Sequence, residues 1–277
     1  MNNYLSFILF ITLGISGFAF GGSPPPMLTV RFSPDGWSQE LEGDIYTQKR
    51  TKAGPAVVLI HGGGWAGRSR RDMAQIARRL AKEGYVVFNI SYRFAPEFRY
   101  PAQVHDVQLA VRWLRHYAKR YQVDPDRIGV WGYSSGAHLA AMLGVLQKGD
   151  RIDRPYGGDD ARVKLVVAGG LPCDFDEFPH SPILAEFIGG FLDEYRSVYR
   201  EASPVTYIDR KTVPFHLYHA ENDDLVPIEQ ATIFRDKLKK FSVKHEMETY
   251  RFWGHNTMFL FSNEAQKKAI KFLDANL

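Results

Sequence analysis

Arg127-Ile128-Gly129-Val130-Trp131-Gly132-Tyr133-Ser134-Ser135-Gly136-Ala137-His138-Leu139-Ala140 runs from a β-rich segment into a helical one with two glycines between them. Arg127 to Trp131 reads as a strand and Ala137 to Leu146 as a helix, so the chain must turn within Gly132 to Gly136. So tight a turn brings backbones together, which glycine tolerates, and it lifts one side chain clear of the sheet at a helix N-terminus. Only Ser134 has glycine both two residues before and two residues after it. Centring the turn on Ser135 would put Tyr133 and Ala137 where glycines are needed. The pattern is G-x-S-x-G, which in this strand-turn-helix context presents a nucleophilic serine. A chance match in a Ser/Gly loop is the bland alternative, and the flanking strand and helix weigh against it.

Working outward, strands are expected at Ala56 to Ile60, Tyr85 to Ile90, Val163 to Val167, Phe215 to Tyr218 and His245 to Phe252. Helices are expected at Met73 to Lys82, Val104 to Tyr121, Ile228 to Lys239 and Glu264 to Leu273. Such alternation predicts an α/β fold: a mostly parallel central sheet with helices on both faces and its ligand site at the carboxyl ends of the strands. Leu28 to Phe32 and Gln39 to Tyr46 read as an antiparallel edge. Pro172 to Ala202 breaks the alternation and carries Phe175, Phe178, Phe187, Phe191 and Tyr195. It is either a short cap over the site or a loop that packs its aromatics on the core.

A chain of 277 residues with 45% hydrophobic and 24% charged residues suits one soluble catalytic domain, placed here at residues 23–277. Residues 1–22 read as a signal peptide, because Tyr4 to Phe20 carries no charge and is followed by small residues and prolines. Met1-Asn2-Asn3 lacks the usual positive charge, so an uncleaved N-terminal anchor is the alternative. The expected location is therefore periplasmic or secreted, with no stable membrane partner unless that anchor is retained. The net charge of +4 sits on helix faces such as Arg70, Arg71, Arg78, Arg79 and Lys82, with no aromatic-interleaved basic patch, and nucleic-acid binding is not expected. The single cysteine, Cys173, excludes an intrachain disulfide. Oligomeric state is not legible.

Three further features complete a site. His61-Gly62-Gly63-Gly64-Trp65 follows the Ala56 to Ile60 strand, where α/β-hydrolases supply part of an oxyanion hole. Bare backbone N–H groups must reach the developing O⁻, and side chains would obstruct them. Gly63 and Gly64, with the N–H of Ser135, are the expected donors, and His61 is expected to orient the loop. A serine hydroxyl also needs a base, and in this fold the order is serine, acid, histidine. His255, in Trp253-Gly254-His255-Asn256 just past the last expected strand, meets that demand. The acid should follow the penultimate strand, where Glu221, Asp223 and Asp224 all stand; a calcium loop would need alternating ligands and a central glycine that are missing. No metal or organic cofactor is implied.

Taken jointly these residues resemble the α/β-hydrolase esterases related to hormone-sensitive lipase, especially the bifunctional feruloyl and acetyl-xylan esterases. The marks are His61 to Trp65, Tyr92 to Glu97 with Pro101-Ala102 and Asp106, Asp124 to Ile128 leading into Gly132 to Gly136, Ala202 to Tyr207, Asp223 three before Val226-Pro227, and Gly254-His255. The resemblance implies Asp223 as the acid and a bracing role for the Tyr92 to Asp106 stretch. Departures are Tyr133 where an acidic or small residue is common, Ser135 for alanine, Ala137 for a second glycine, and Ala220 for glycine. Tyr133 is expected to narrow the mouth of the site, and Ser135 to alter its polarity.

The expected function is thus a serine carboxylesterase acting on a small-molecule or carbohydrate ester of short acyl chain, through an acyl-enzyme on Ser134, with acetyl or feruloyl groups implied by the resemblance. Trp65, Phe252 and Trp253 are candidates to stack on sugar or on an aromatic acyl group. An amide hydrolase, formamidase or peptidase, would use the same triad. A binding protein on a hydrolase scaffold is a rival from another class, against which the intact triad argues.

Overall fold

In the computed structural model the described residues are 28–277, and the signal expected over residues 1–22 lies outside them. Eight strands form one sheet: β1 (Leu28–Arg31), β2 (Glu42–Tyr46), β3 (Gly54–Ile60), β4 (Val86–Ile90), β5 (Val123–Tyr133), β6 (Val166–Gly169), β7 (Phe215–Ala220) and β8 (His245–Tyr250). Their order is β1-β2-β4-β3-β5-β6-β7-β8. β2 pairs antiparallel with β1 and β4, and every pair from β4 to β8 is parallel. This is the α/β-hydrolase architecture, with the expected antiparallel edge.

Side chains alternate across a strand, and the two cores divide accordingly. Val58, Ile60 and Val130 face one core, with Val107 and Val111 of α2 (Ala102–His116), Leu139 and Leu143 of α4 (Ser135–Val145) and Phe234 of α7 (Ile228–Lys240). Val57, Leu59 and Trp131 face the other, with Ile76 and Leu80 of α1 (Ala74–Lys82) and Ala269 and Leu273 of α9 (Asn263–Asn276). α4 has no charged residue and is buried along its whole length. A helix apolar on every side belongs inside a domain, so the body of α4 is held by the core, and its N-terminus, where the partly buried Ser134 sits, is fixed by it.

Several boundaries differ from the expected ones. The helix expected over Val104 to Tyr121 stops at Tyr117, which leaves helical geometry, and resumes as α3 (Ala118–Tyr121). β6 lies nearer its glycine end than Val163 to Val167 suggested, because Gly169 pairs with Tyr133 and Tyr218 although glycine reads as a breaker. The stretch after Pro172 is helical: α5 (Pro182–Ile188), capped by the Ser181 hydroxyl, and α6 (Leu192–Ala202). A further helix, α8 (His255–Phe261), is too short for a periodic signal. Among the described residues no helix is long and apolar enough to cross a membrane.

Candidate active site

β5 ends at Tyr133, and Ser134 turns the chain into α4 with φ 56° and ψ −126°. A non-glycine residue there stores roughly 1–3 kcal/mol of strain, which persists only where surroundings over-determine it. They do. The Ser134 N–H donates to Gly169 O at 2.8 Å, and the Ser134 carbonyl accepts from the His138 N–H at 3.0 Å. A Cβ at Gly132 would lie 2.1 Å from Gly136 O, and one at Gly136 would lie 2.2 Å from Ile60 O. Both glycines of the motif are therefore required by close backbone approach, on either side of the serine.

The histidine and acid come from the far side of the sheet's carboxyl edge. His255 is the first residue of α8, and its Nδ1 lies 2.6 Å from Asp223 Oδ2. Asp223 Oδ1 accepts from the N–H groups of Leu225 at 3.0 Å and Val226 at 2.7 Å, which fixes the carboxylate. Burial works to raise the Asp223 carboxyl, but its hydrogen bond and charge interaction with His255, aided by Val226 and His219, hold it below the ordinary carboxylate value. An ionised Asp223 accepts the Nδ1–H of His255, leaving Nε2 as the basic nitrogen. Asp224 is exposed, and Glu221 accepts from the Thr249 hydroxyl at 2.7 Å; of the three carboxylates, Asp223 faces His255.

The glycine loop after β3 abuts the elbow, since a Cβ at Gly62 would lie 2.9 Å from Tyr133 O and 3.2 Å from Ser134 Cβ. Gly63 and Gly64 have φ of 118° and 63°, and the N–H groups of Gly63, Gly64 and Ser135 donate to no backbone carbonyl among the described residues. His61 is fully buried, stacked on Tyr92 with ring centroids 4.5 Å apart, and burial lowers it to about 4. A neutral, buried ring braces the loop and has no route to substrate. The Tyr92 hydroxyl donates to His61 O at 3.0 Å and lies 3.5 Å from Ser135 Oγ, so the Ser135 hydroxyl is engaged beneath the loop.

These pieces border one cavity of about 560 Å³, lined by Gly62 to Arg68 and Asp72 on one wall, Ser134, His255 and Phe259 at the floor, and Phe178, Ile183 and Leu184 above. The two readings of the Pro172 to Ala202 stretch each hold for part of it. Phe175 and Phe187 are fully buried in the core, while Phe178 and α5 roof the cavity. Trp65 borders the cavity but is only 4% exposed and stacks on Phe187 at 4.4 Å, which makes it wall. Phe252 is 88% exposed and, like Trp253, is not among the lining residues, so neither borders the cavity. Tyr133 borders the cavity, but its side chain does not stand free at the mouth. Its side chain is buried, and its hydroxyl donates to the main-chain oxygen of His255 at 2.7 Å.

Ser134, Asp223 and His255, together with Gly63, Gly64 and Ser135, are thus gathered at one place. Sequence reasoning passed over His219 and Gly170. His219 Nε2 donates to Val226 O at 2.7 Å and lies 3.5 Å from Asp223 Oδ2, and burial holds the ring below the ordinary histidine value. Gly170 has φ +57°, and a Cβ there would lie 3.0 Å from His255 Cε1. The glycine directly after a strand that flanks the elbow was the available signal.

The BD-FAE family model matches residues 43–238, which takes in Ser134 and Asp223 and ends before His255. Esterase LipC of Mycobacterium tuberculosis is 31% identical over 212 residues, 72% of this chain and 52% of that protein. Neutral cholesterol ester hydrolase 1 of Rattus norvegicus is 42% identical over 94 residues, 32% of this chain and 23% of that protein. The chain spans about half the length of several curated relatives that it matches. Among solved structures, a truncated form of a carbohydrate esterase from gut microbiota superposes with a TM-score of 0.78 at 25% identity, covering 90% of this chain and 96% of that one. An acetyl ester-xyloside bifunctional hydrolase from Caldicellulosiruptor lactoaceticus gives 0.71 at 25% identity, covering 86% and 89%.

Proposed function

The chain belongs to the BD-FAE family, and from that premise we propose that it is a serine carboxylesterase hydrolysing short-chain acyl esters through an acyl-enzyme on Ser134. The observation that carries the reading is the strained Ser134 at the floor of a cavity shared with His255, whose Nδ1 is 2.6 Å from a buried Asp223.

In this mechanism Ser134 Oγ attacks the ester carbonyl carbon while His255 Nε2 takes the hydroxyl proton. The carbonyl π electrons move to oxygen, and the N–H groups of Gly63, Gly64 and Ser135 stabilise the O⁻, each worth about 3–4 kcal/mol of barrier. Collapse expels the alcohol, which takes the proton from His255. Water, deprotonated by the same nitrogen, then attacks the acyl carbon; collapse breaks the bond to Ser134 Oγ, which takes the proton back from His255, and the carboxylic acid leaves. Asp223 stays ionised throughout and stabilises the imidazolium.

Acetyl or feruloyl groups on carbohydrate are the substrates we propose; the named activities of the two structural neighbours support the carbohydrate and acetyl part, and the feruloyl part rests on the sequence resemblance alone. Export, resting on the uncharged run from Tyr4 to Phe20, suits a polymer that cannot enter a cell. The test is hydrolysis of p-nitrophenyl acetate, butyrate and octanoate by the parent and by Ser134→Ala. Turnover that declines with acyl length and vanishes in the variant is expected; equal turnover in the two proteins would remove Ser134 from the mechanism.

A further inference from the structure

We infer that Tyr133 is a positioning residue for the base: its hydroxyl fixes the main chain of His255, so that one strand end presents the nucleophile and also holds the histidine. The inference rests on the esterase reading and adds a role for the residue that precedes the serine.

His255 needs such a hold. It comes after the end of the last strand, at the start of a seven-residue helix, and is flanked by Phe252 at 88% exposure on one side and Leu260 and Phe261 at 61% and 63% on the other. Side-chain contact with Asp223 orients the ring about Nδ1, but a ring also swings with its backbone. Tyr133, in contrast, pairs with Gly169 in the middle of the sheet and is only 3% exposed. Its hydroxyl donates to His255 O at 2.7 Å. Burial raises that hydroxyl far above the ordinary tyrosine value, so it stays protonated and remains a donor.

The ring and the hydroxyl have separable work. The ring packs against His255 at 5.1 Å, Phe259 at 5.0 Å and Tyr218 at 6.0 Å between centroids, contacts that phenylalanine would keep. Gly170 closes the arrangement from below, because a Cβ there would lie 3.0 Å from His255 Cε1 and 3.3 Å from the Tyr133 hydroxyl. The backbone of α8, the imidazole and the elbow are therefore tied through one hydroxyl. A misplacement of reacting groups by about 1 Å can cost on the order of 100-fold in rate, so this single bond has kinetic weight.

The experiment compares Tyr133→Phe, and 4-aminophenylalanine at the same position, with the parent on p-nitrophenyl acetate, recording kcat, KM and Tm. For Tyr133→Phe a fall in kcat of about tenfold or more is expected, with Tm lower by no more than a few degrees, the cost of one lost buried hydrogen bond. KM should stay within about twofold, the pattern of a defect in chemistry and not in substrate binding. The amino variant restores a donor on the same ring and should recover most of the lost kcat. A Phe variant with parental kcat overturns the proposal, as does a loss the amino variant fails to restore, or a Phe variant that does not fold. Failure of the esterase reading looks different, because the parent itself would then show no turnover or Ser134→Ala would retain it.

Discussion

The indole Nε1–H of Trp65 donates to Nδ1 of His138 at 3.1 Å, joining the glycine loop to the buried helix that starts at the nucleophile. The other ring nitrogen donates to Ala202 O at 2.7 Å, at the end of α6. One neutral imidazole thus ties together the proposed oxyanion loop, the nucleophile helix and the cap. Burial lowers His138 to about 4, and it does the same for His61 and His105. Protonating His138 at Nδ1 would remove the acceptor that Trp65 needs.

A pH dependence of stability follows from these three rings. Their values in the folded chain lie below the ordinary 6.5, so as pH falls the unfolded chain takes up protons first. The stability they confer is fully present above about pH 6.5 and is lost progressively towards pH 4. Urea unfolding at a series of pH values should show a free energy that declines across this window. In His138→Gln the slope should be shallower by up to about 1.4 kcal/mol per pH unit, one proton's worth. A parental stability that is level across the window would mean that these rings are not held neutral.

Asp223→Asn tests the tautomer argument. An asparagine can keep the Oδ1 contacts to the N–H groups of Leu225 and Val226, which lie at 3.0 and 2.7 Å. Its amide, however, would place an NH₂ against His255 Nδ1 and force the imidazole proton onto Nε2, where it blocks the serine. The expected loss in kcat is about 10⁴-fold, with Tm little changed. Asp224→Asn, at an exposed position, should stay within about twofold of the parent. The reverse ranking would exchange the roles of the two residues.

The parts of this site that repeat a backbone requirement were legible in the sequence. Gly132, Ser134 and Gly136 announce the elbow because close approach admits no side chain there, and His61 to Gly64 announces the loop for a related reason. Asp223 could not be separated from Glu221 and Asp224 by residue type, since all three are carboxylates on one loop and only the turn through Leu225 and Val226 aims one of them at His255. The part played by Tyr133 was hidden for another reason. Its partner is a main-chain oxygen 122 positions away, and a backbone acceptor leaves no mark on composition or periodicity. That Phe252 and Trp253 lie off the cavity was not legible, because adjacency in sequence to His255 says nothing about which way a loop turns its side chains.

The cap should set which acyl chains are accepted, and Ile183 is the place to test it. The residue stands on α5 over the glycine loop, and a Cβ at Gly64 would come within 3.1 Å of Ile183 Cγ2. It lines the cavity and yet is 51% exposed, so the core does not depend on it. Truncation to alanine removes three carbons from the roof above a proposed oxyanion donor and opens room along the acyl path. The ratio of kcat/KM for p-nitrophenyl octanoate over acetate should rise about fivefold in Ile183→Ala, equivalent to about 1 kcal/mol of differential barrier. Ile183→Trp should lower that ratio, with Tm close to the parent in both variants because the side chain is half in solvent. If neither variant moves the ratio, the acyl chain does not run beneath α5, and it must extend instead towards Leu225 and Val226, which also line the cavity.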